Sequence, residues 1–299
     1  MAGVIRPAEL MQWEQSTVNL LMNPFSALSD AIPAAALQIF VVAMFVLVVL
    51  GTVLDILHKK SAEYFFENAE KAKKARVKTL SGADMGSIAV QTVAVDVLTS
   101  AEFCNPKRRQ AHLLTMYGFV FFLISTFMMV FVYPVSGSST PVIWSLLWHF
   151  GALMVCVGGF WFWFFIRVDL AAEGNPWHRL VPADLFIISL VSTNLFGLLW
   201  SLSQAMGLGG LSTLFLGLFI ISSVVLFGGV LWSKFAHMFF KPAAAFQKRV
   251  AKADGSLDNL PEPADRTNPA SRDRHSMELL RDAPLDMGLG IKREKPQHY

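Results

Sequence analysis

The sequence predicts an all-α integral membrane protein, a bundle of five transmembrane helices with a cytoplasmic loop and a disordered C-terminal tail. Three observations carry that expectation. Hydrophobic residues fill 54% of the 299 positions and charged ones only 16%, with 25 Phe and 8 Trp, which is too apolar and aromatic for a soluble chain of this length. The apolar residues gather in long runs at 34–57, 112–133, 143–166, 183–206 and 211–240. At ~1.5 Å per residue each run crosses a hydrocarbon core of ~30 Å. Lys and Arg concentrate on alternate connections, as the positive-inside rule requires.

In chain order, residues 1–33 form an arm whose only basic residue is Arg6, so it is expected on the periplasmic side. The first span, 34–57, begins too late and runs too long for a cleaved signal peptide. The 58–111 connection holds Lys59, Lys60, Lys71, Lys73, Lys74, Arg76, Lys78, Lys107, Arg108 and Arg109 and is expected in the cytoplasm. Within it, "KSAEYFFENAEKAKKARVK" (60–78) reads as an amphipathic helix continuing from the first span. "MGSIAVQTVAVDVL" (85–98) is apolar but too short to span, and reads as interfacial or covered by a partner. Spans two to five occupy 112–245. The 134–142 loop and the "GLGG" turn at 207–210 lack Lys and Arg, whereas Arg167 and Arg179 lie between spans three and four. The N-terminus is therefore expected outside and the C-terminus inside. Residues 246–299 turn polar and Pro-bearing and read as a disordered cytoplasmic tail, with "SMELLRDAPL" as a candidate docking helix. No internal repeat is evident.

The chain has two cysteines, Cys104 and Cys156, too few for a four-thiolate iron–sulfur cluster. It has no C-x-x-C-H for covalent haem and no Gly-rich nucleotide fingerprint. No nucleic-acid partner is expected. If the protein carries electrons, the carrier is held by histidine or bound as a quinone.

Topology assigns each histidine a depth. His112 falls in the first inner turn of span two and His237 in the last inner turn of span five, a matching depth on separate helices. Two imidazoles so placed suit axial ligation of a haem between helices, and Lys107, Arg108, Arg109 and Lys234 lie where haem propionates want cations. The alternative is that each histidine only anchors its helix at the interface. His149 belongs to the outer half of span three, roughly 20 Å from the other two across a ~30 Å core. With Trp148 and Trp144 beside it, it is a candidate quinone hydrogen-bonding group, or else an inter-helix hydrogen bond. His58, His178, His275 and His298 read as loop or tail residues. Ser189, Ser192, Thr193 and Asn194 give span four a polar stripe, expected to bond neighbouring helices. Cys156 reads as packing, and Cys104 as either inert or a redox sensor.

At these residues the chain resembles the haem b-binding membrane subunits of the nitrate reductase gamma type. "SKFAHMFFKP" (233–242) resembles that family's last-helix ending, "PADLFIISLVSTNLFGLLWSL" (182–202) its fourth helix and "VCVGGFWFWFFIRV" (155–168) the end of its third. The likeness covers about 110–245 and matches His112 and His237 to a ligand pair, that is, one haem b. Where those subunits carry ligands to an outer haem, this chain has Phe122 and Phe219. "CNPKRRQAHLLTMYGF" (104–119) is closer to another branch, the membrane subunits associated with adenylylsulfate reductase and with quinone-interacting and heterodisulfide-reductase-like complexes of sulfur metabolism.

The resemblance implies an electron-transfer subunit of a bacterial inner membrane. It would pass electrons between quinone or quinol and cytoplasmic flavin or iron–sulfur oxidoreductase subunits. The alternatives are a cofactor-free structural anchor for such an enzyme and, third, a small transporter. For the quinone, an inner site lined by aromatics of spans two and five is expected in preference to His149.

Overall fold

The computed structural model describes residues 22–59, 61–103, 105–170, 174–235, 237–257 and 260, whose regular structure is helical with no strand among them. In order, the elements are α1 (Pro24–Leu28), α2 (Ala34–Lys59), α3 (Ser61–Ala75) and α4 (Gly82–Gln91, running on as a π turn over Thr92–Val97). Next come α5 (Pro106–Phe127, with a π turn over Met128–Val132) and α6 (Val142–Trp161, with a π turn over Phe162–Ile166). The last are α7 (Leu185–Ala205, entered by a 3₁₀ turn at Pro182–Asp184), α8 (Gly209–Gly228, tightening to 3₁₀ over Gly229–Leu231) and α9 (His237–Ala253). Five segments are long and apolar enough to cross a membrane: Ala34–His58, Pro106–Val132, Val142–Ile166, Pro182–Ala205 and Gly209–Leu231. The protein is a multi-pass helical membrane protein.

Two span boundaries differ from expectation. The second span starts six residues early, because Pro106 at the first helical position needs no hydrogen-bond partner and has a φ suited to the helix. Lys107, Arg108 and Arg109 are therefore helical, and His112 sits in the second turn. The fifth span ends early, at Leu231, where the α-helix stops at Gly228 and closes in a 3₁₀ turn from Gly229. His237 is thus not in the last turn of that span but at the start of α9. His58 belongs to α2 rather than to a loop.

The chain divides into two compact units. The first holds the described residues up to Lys59 together with Lys107–Met238, and contains all five spans. Its described residues before the first span, 22–33, include the short helix α1. Asn23, 2% exposed, caps α1 by accepting from the Phe25 and Ser26 amides at 2.9 and 3.2 Å. Its amide group donates to the carbonyls of Met129 and Tyr133 at 3.2 and 2.9 Å. One side chain so satisfies the frayed ends of two helices, which in lipid must find partners within the protein. Gln38 does the same for the Val130 carbonyl at 3.2 Å.

The α5–α6 crossing is set by glycine. Ala111, Gly118, Phe122, Ser125 and Met129 form one buried face of the second span, at helical spacing. A Cβ placed on Gly118 would stand 2.6 Å from the Gly151 carbonyl oxygen, and one on Gly151 would stand 2.6 Å from the Gly118 oxygen. The two backbones touch, as small-residue interfaces between membrane helices do. The outward faces remain apolar and exposed, as at Ile39, Phe45, Phe127, Phe150 and Phe165, which suits contact with lipid.

The second unit holds Ser61–Pro106 and the described residues from Phe239 onward. The connection carries the amphipathic helix expected over 60–78, as α3, and its apolar 85–98 stretch is largely helical too. Its α4 begins with a capping box: the Ser81 hydroxyl accepts from the Asp84 amide at 3.2 Å, and the Asp84 carboxylate accepts from the Ser81 amide at 2.9 Å. Residues 246–257, expected in a disordered tail, are among the described residues. Residues 246–253 are helical within α9, and the Asp254 carbonyl accepts from the Val77 and Lys78 amides at 3.0 and 2.9 Å. Gln247 donates to the Phe65 carbonyl at 3.3 Å. "SMELLRDAPL", His275, His298 and Cys104 lie outside the described residues.

Arg249 and Asp96 form a two-pronged ion pair, Nη2 to Oδ1 at 2.9 Å and Nε to Oδ2. That hydrogen bond holds the Asp96 carboxyl below its ordinary range. A carboxyl with a depressed folded pKa stabilises above its unfolded value, about 3.9, and loses that contribution as pH falls through the folded one. Asp96→Asn is therefore expected to reduce hydrogen-exchange protection of 250–254 at pH 7 by roughly fivefold, about 1 kcal/mol. After correction for intrinsic exchange rates, the difference between variant and wild type should vanish well below pH 4. Equal protection at pH 7 would show that the pair contributes nothing.

Candidate functional site

The short α5–α6 and α7–α8 connections and the Asn23 bonds gather one end of the bundle. The other end carries the basic residues: Lys107, Arg108 and Arg109 in the first turn of α5, and Lys234 after α8. At this end Lys107 and Lys234 are exposed, and Arg108 and Arg109 are half-buried. His112 is exposed on α5, one turn beyond Arg108 and Arg109, positions that share a helix face. His237 opens α9.

An aromatic seam fixes the turn that leads to His237. Phe235, 3% exposed, packs edge-on against Phe186 at 5.5 Å and Phe227 at 6.1 Å. Phe227 in turn stacks on Phe119 of α5 at 6.3 Å. Phe119 lies seven residues from His112, hence on the same helix face and about 10 Å along the axis. The seam so joins the segment two residues before His237 to the helix that carries His112.

The other half of the bundle has a different character. Phe122 and Phe219 meet ring to ring at 6.4 Å. Trp148 stacks on Phe122 at 5.1 Å, Trp200 stacks on Phe219 at 5.8 Å, and Phe25 meets both indoles edge-on. Each of the five is at most 6% exposed. Phenyl rings stand at positions 122 and 219, and a phenyl ring cannot ligate iron.

His149 is spoken for. Its Nδ1 lies 2.7 Å from the Ser145 carbonyl and its Nε2 lies 2.8 Å from the Ser201 hydroxyl. A carbonyl only accepts, so Nδ1 carries the proton, and in the neutral ring Nε2 accepts from Ser201. Trp148 is fully buried and its indole N–H donates to Thr126 at 3.0 Å. Neither residue has a polar atom left for a quinone; His149 joins span three to span four. His149→Phe is expected to cost about 1 kcal/mol, the scale of one inter-helix hydrogen bond, read as a small drop in detergent unfolding midpoint. A loss above about 3 kcal/mol would mean that the histidine does more than bond Ser201.

The polar stripe of α7 behaves otherwise than expected. Ser189 donates to the Leu185 carbonyl at 2.6 Å and Asn194 to the Leu190 carbonyl at 2.8 Å, both within their own helix. Cys156 is buried packing, as expected.

Three ionisable residues stand out only in the structure. Arg167, read from sequence as a topology marker, is fully buried where the π turn of α6 ends. Its Nε donates to Asp184 Oδ1 at 3.0 Å, its Nη1 to the Pro176 carbonyl at 2.9 Å, and its Nη2 to the Arg179 carbonyl. Its guanidinium also lies 4.3 Å from the centre of the Trp163 ring. Asp55, 4% exposed, is a carboxyl inside the first span. His58, one turn on, lines a recess of about 550 Å³ with Leu54, Leu57, Leu231 and Trp232. An acid and a histidine three apart at the end of an apolar run were the available signal for the last two.

The fold and this end of the bundle define a five-span membrane protein with His58, His112 and His237 on separate helices at its basic end. Set against protein-family models, curated proteins and solved structures, the chain matches none.

Proposed function

We propose that the protein is the haem b-carrying membrane subunit of an oxidoreductase complex, with its basic end toward the cytoplasm. It passes electrons between the quinone pool and a flavin or iron–sulfur partner, in the manner of the sulfur-metabolism branch that the sequence resembles. The observation that carries the reading is the Phe119–Phe227–Phe235 seam, which packs the segment leading into His237 against the helix that carries His112.

The donor set suits haem b. Two imidazoles from different helices are the ligands a low-spin iron takes, and the cations at 107–109 and 234 suit its carboxylates. When bound, such a group supplies one-electron chemistry between a two-electron quinol and one-electron iron–sulfur acceptors. The chain's own part is to hold that group at the basic end and keep water from one side of it with buried phenyl rings. The ring-filled opposite half supports a single haem. The second unit offers charged surface for the soluble partner. Because residues 239–253 of α9 and the bonds of Val77 and Lys78 to Asp254 belong to that unit's fold, a truncation that tests docking by the tail keeps the residues up to 257.

A reduced-minus-oxidised spectrum of the purified full chain, with quinol as reductant, tests the reading. The expected result is b-type absorbance that develops with quinol. A chain without such absorbance would be a cofactor-free anchor.

A further inference from the structure

We propose that the recess between the C-terminal turn of α2 and the end of the fifth span binds the ring of a lipid-soluble quinone or quinol. This rests on the reading above that the protein serves the quinone pool, and it assigns that pool a place in the molecule.

The recess measures about 550 Å³, within the range of ordinary ligand pockets, ~300–1,000 Å³. Its walls are Leu54, Leu57, Leu231 and Trp232, with one polar side chain, His58. That composition discriminates among lipid-phase ligands. A phospholipid head carries a charged phosphate and calls for several cations or amide donors, and none of the five described residues that line the recess is Lys or Arg. A quinone ring is flat, uncharged and carries an oxygen that needs one hydrogen-bond partner. An imidazole ring has a nitrogen for each redox form, one that donates to a quinone carbonyl and one that accepts from a quinol hydroxyl. The Trp232 indole, 70% exposed, supplies an aromatic face beside it.

Access fits as well. Leu54 and Leu57 are 50% and 70% exposed, and the strip continues along α2 through Leu50, Val49 and Val46, all exposed. An isoprenoid tail on this apolar strip would stay in lipid while the ring reached His58. Asp55, buried one turn back on the same helix, places a carboxyl within i, i+3 range of the imidazole. The recess also lies at the basic end of the bundle, the end of His112 and His237, whereas His149 has both nitrogens engaged.

The test is a titration of the full chain in lipid nanodiscs with menaquinone-4, read by quenching of tryptophan fluorescence, with haem content measured on the same sample. Saturable quenching is expected, largely lost in Trp232→Phe. Affinity should fall roughly three- to tenfold in His58→Ala, the loss of one hydrogen bond. His58→Gln, which keeps a donor, should bind nearer to wild type, and Leu57→Trp, which fills the recess, should abolish saturation. Quenching that rises without saturation and ignores these variants would mean partitioning into lipid only and would overturn the proposal. Saturable quenching that survives both His58→Ala and Leu57→Trp would place the quinone elsewhere and overturn it equally. Saturable, His58-dependent quenching in a chain without haem would leave this site standing and sink the electron-transfer reading instead.

Discussion

Arg167→Ala is expected to destabilise the bundle by about 3–5 kcal/mol, enough to abolish a monodisperse folded protein in mild detergent. The guanidinium is 0% exposed and its partner Asp184 only 6%. Removing it strands a carboxylate in a place without water, and it also strips donors from the Pro176 and Arg179 carbonyls. The connection between spans three and four is thereby tied to a single side chain. Arg167→Lys should fall between, since an ammonium keeps the charge but cannot reach two carboxylate oxygens and the carbonyls in one plane. Arg167→Met with Asp184→Leu should recover only part of the loss, because the carbonyls stay unpaired. Size-exclusion profiles with thermal unfolding report all three. Wild-type behaviour of Arg167→Ala would mean the pair is not buried in the folded protein.

Gly118→Leu is expected to have an effect of similar size through a different cause. Even the first carbon of a side chain would lie 2.6 Å from the Gly151 carbonyl and 2.9 Å from the Val155 amide. Those are backbone atoms that cannot rotate away. Overpacking typically costs ~1–3 kcal/mol where side chains can yield, and here whole helices have to separate. Their separation would reach the Phe122–Trp148 stack one turn further along. Gly217→Ala on α8 is the control, since its Cβ would meet nothing within 4 Å. It should be neutral, or stabilising by up to about 1 kcal/mol through helix propensity. If both variants unfold alike, the crossing has no special place in the fold.

The number and order of the spans were legible because a run of apolar residues is a local property. Their ends were less so. Hydropathy carried the fifth span to 240, although the Gly228–Gly229 pair that stops it is a local breaker in plain view. It also excluded "KRRQ" from the second span, although Pro106 marks the helix start. The second unit was missed for a deeper reason. Asp96 and Arg249 are 153 residues apart, and no period or motif pairs them. The same holds for His149 with Ser201, whose bond makes a tempting ligand into a helix tie. Phe122 and Phe219 are the opposite case. Read only as departures from a resemblance, they meet in the structure at the centre of a packed aromatic core.

Haem stoichiometry bears most directly on the central claim. Pyridine haemochrome quantitation on the purified full chain should give one haem b per polypeptide, lost in His112→Ala and in His237→Ala and retained in His149→Phe. Two haems per chain, or a haem that survives both His112→Ala and His237→Ala, would contradict the account.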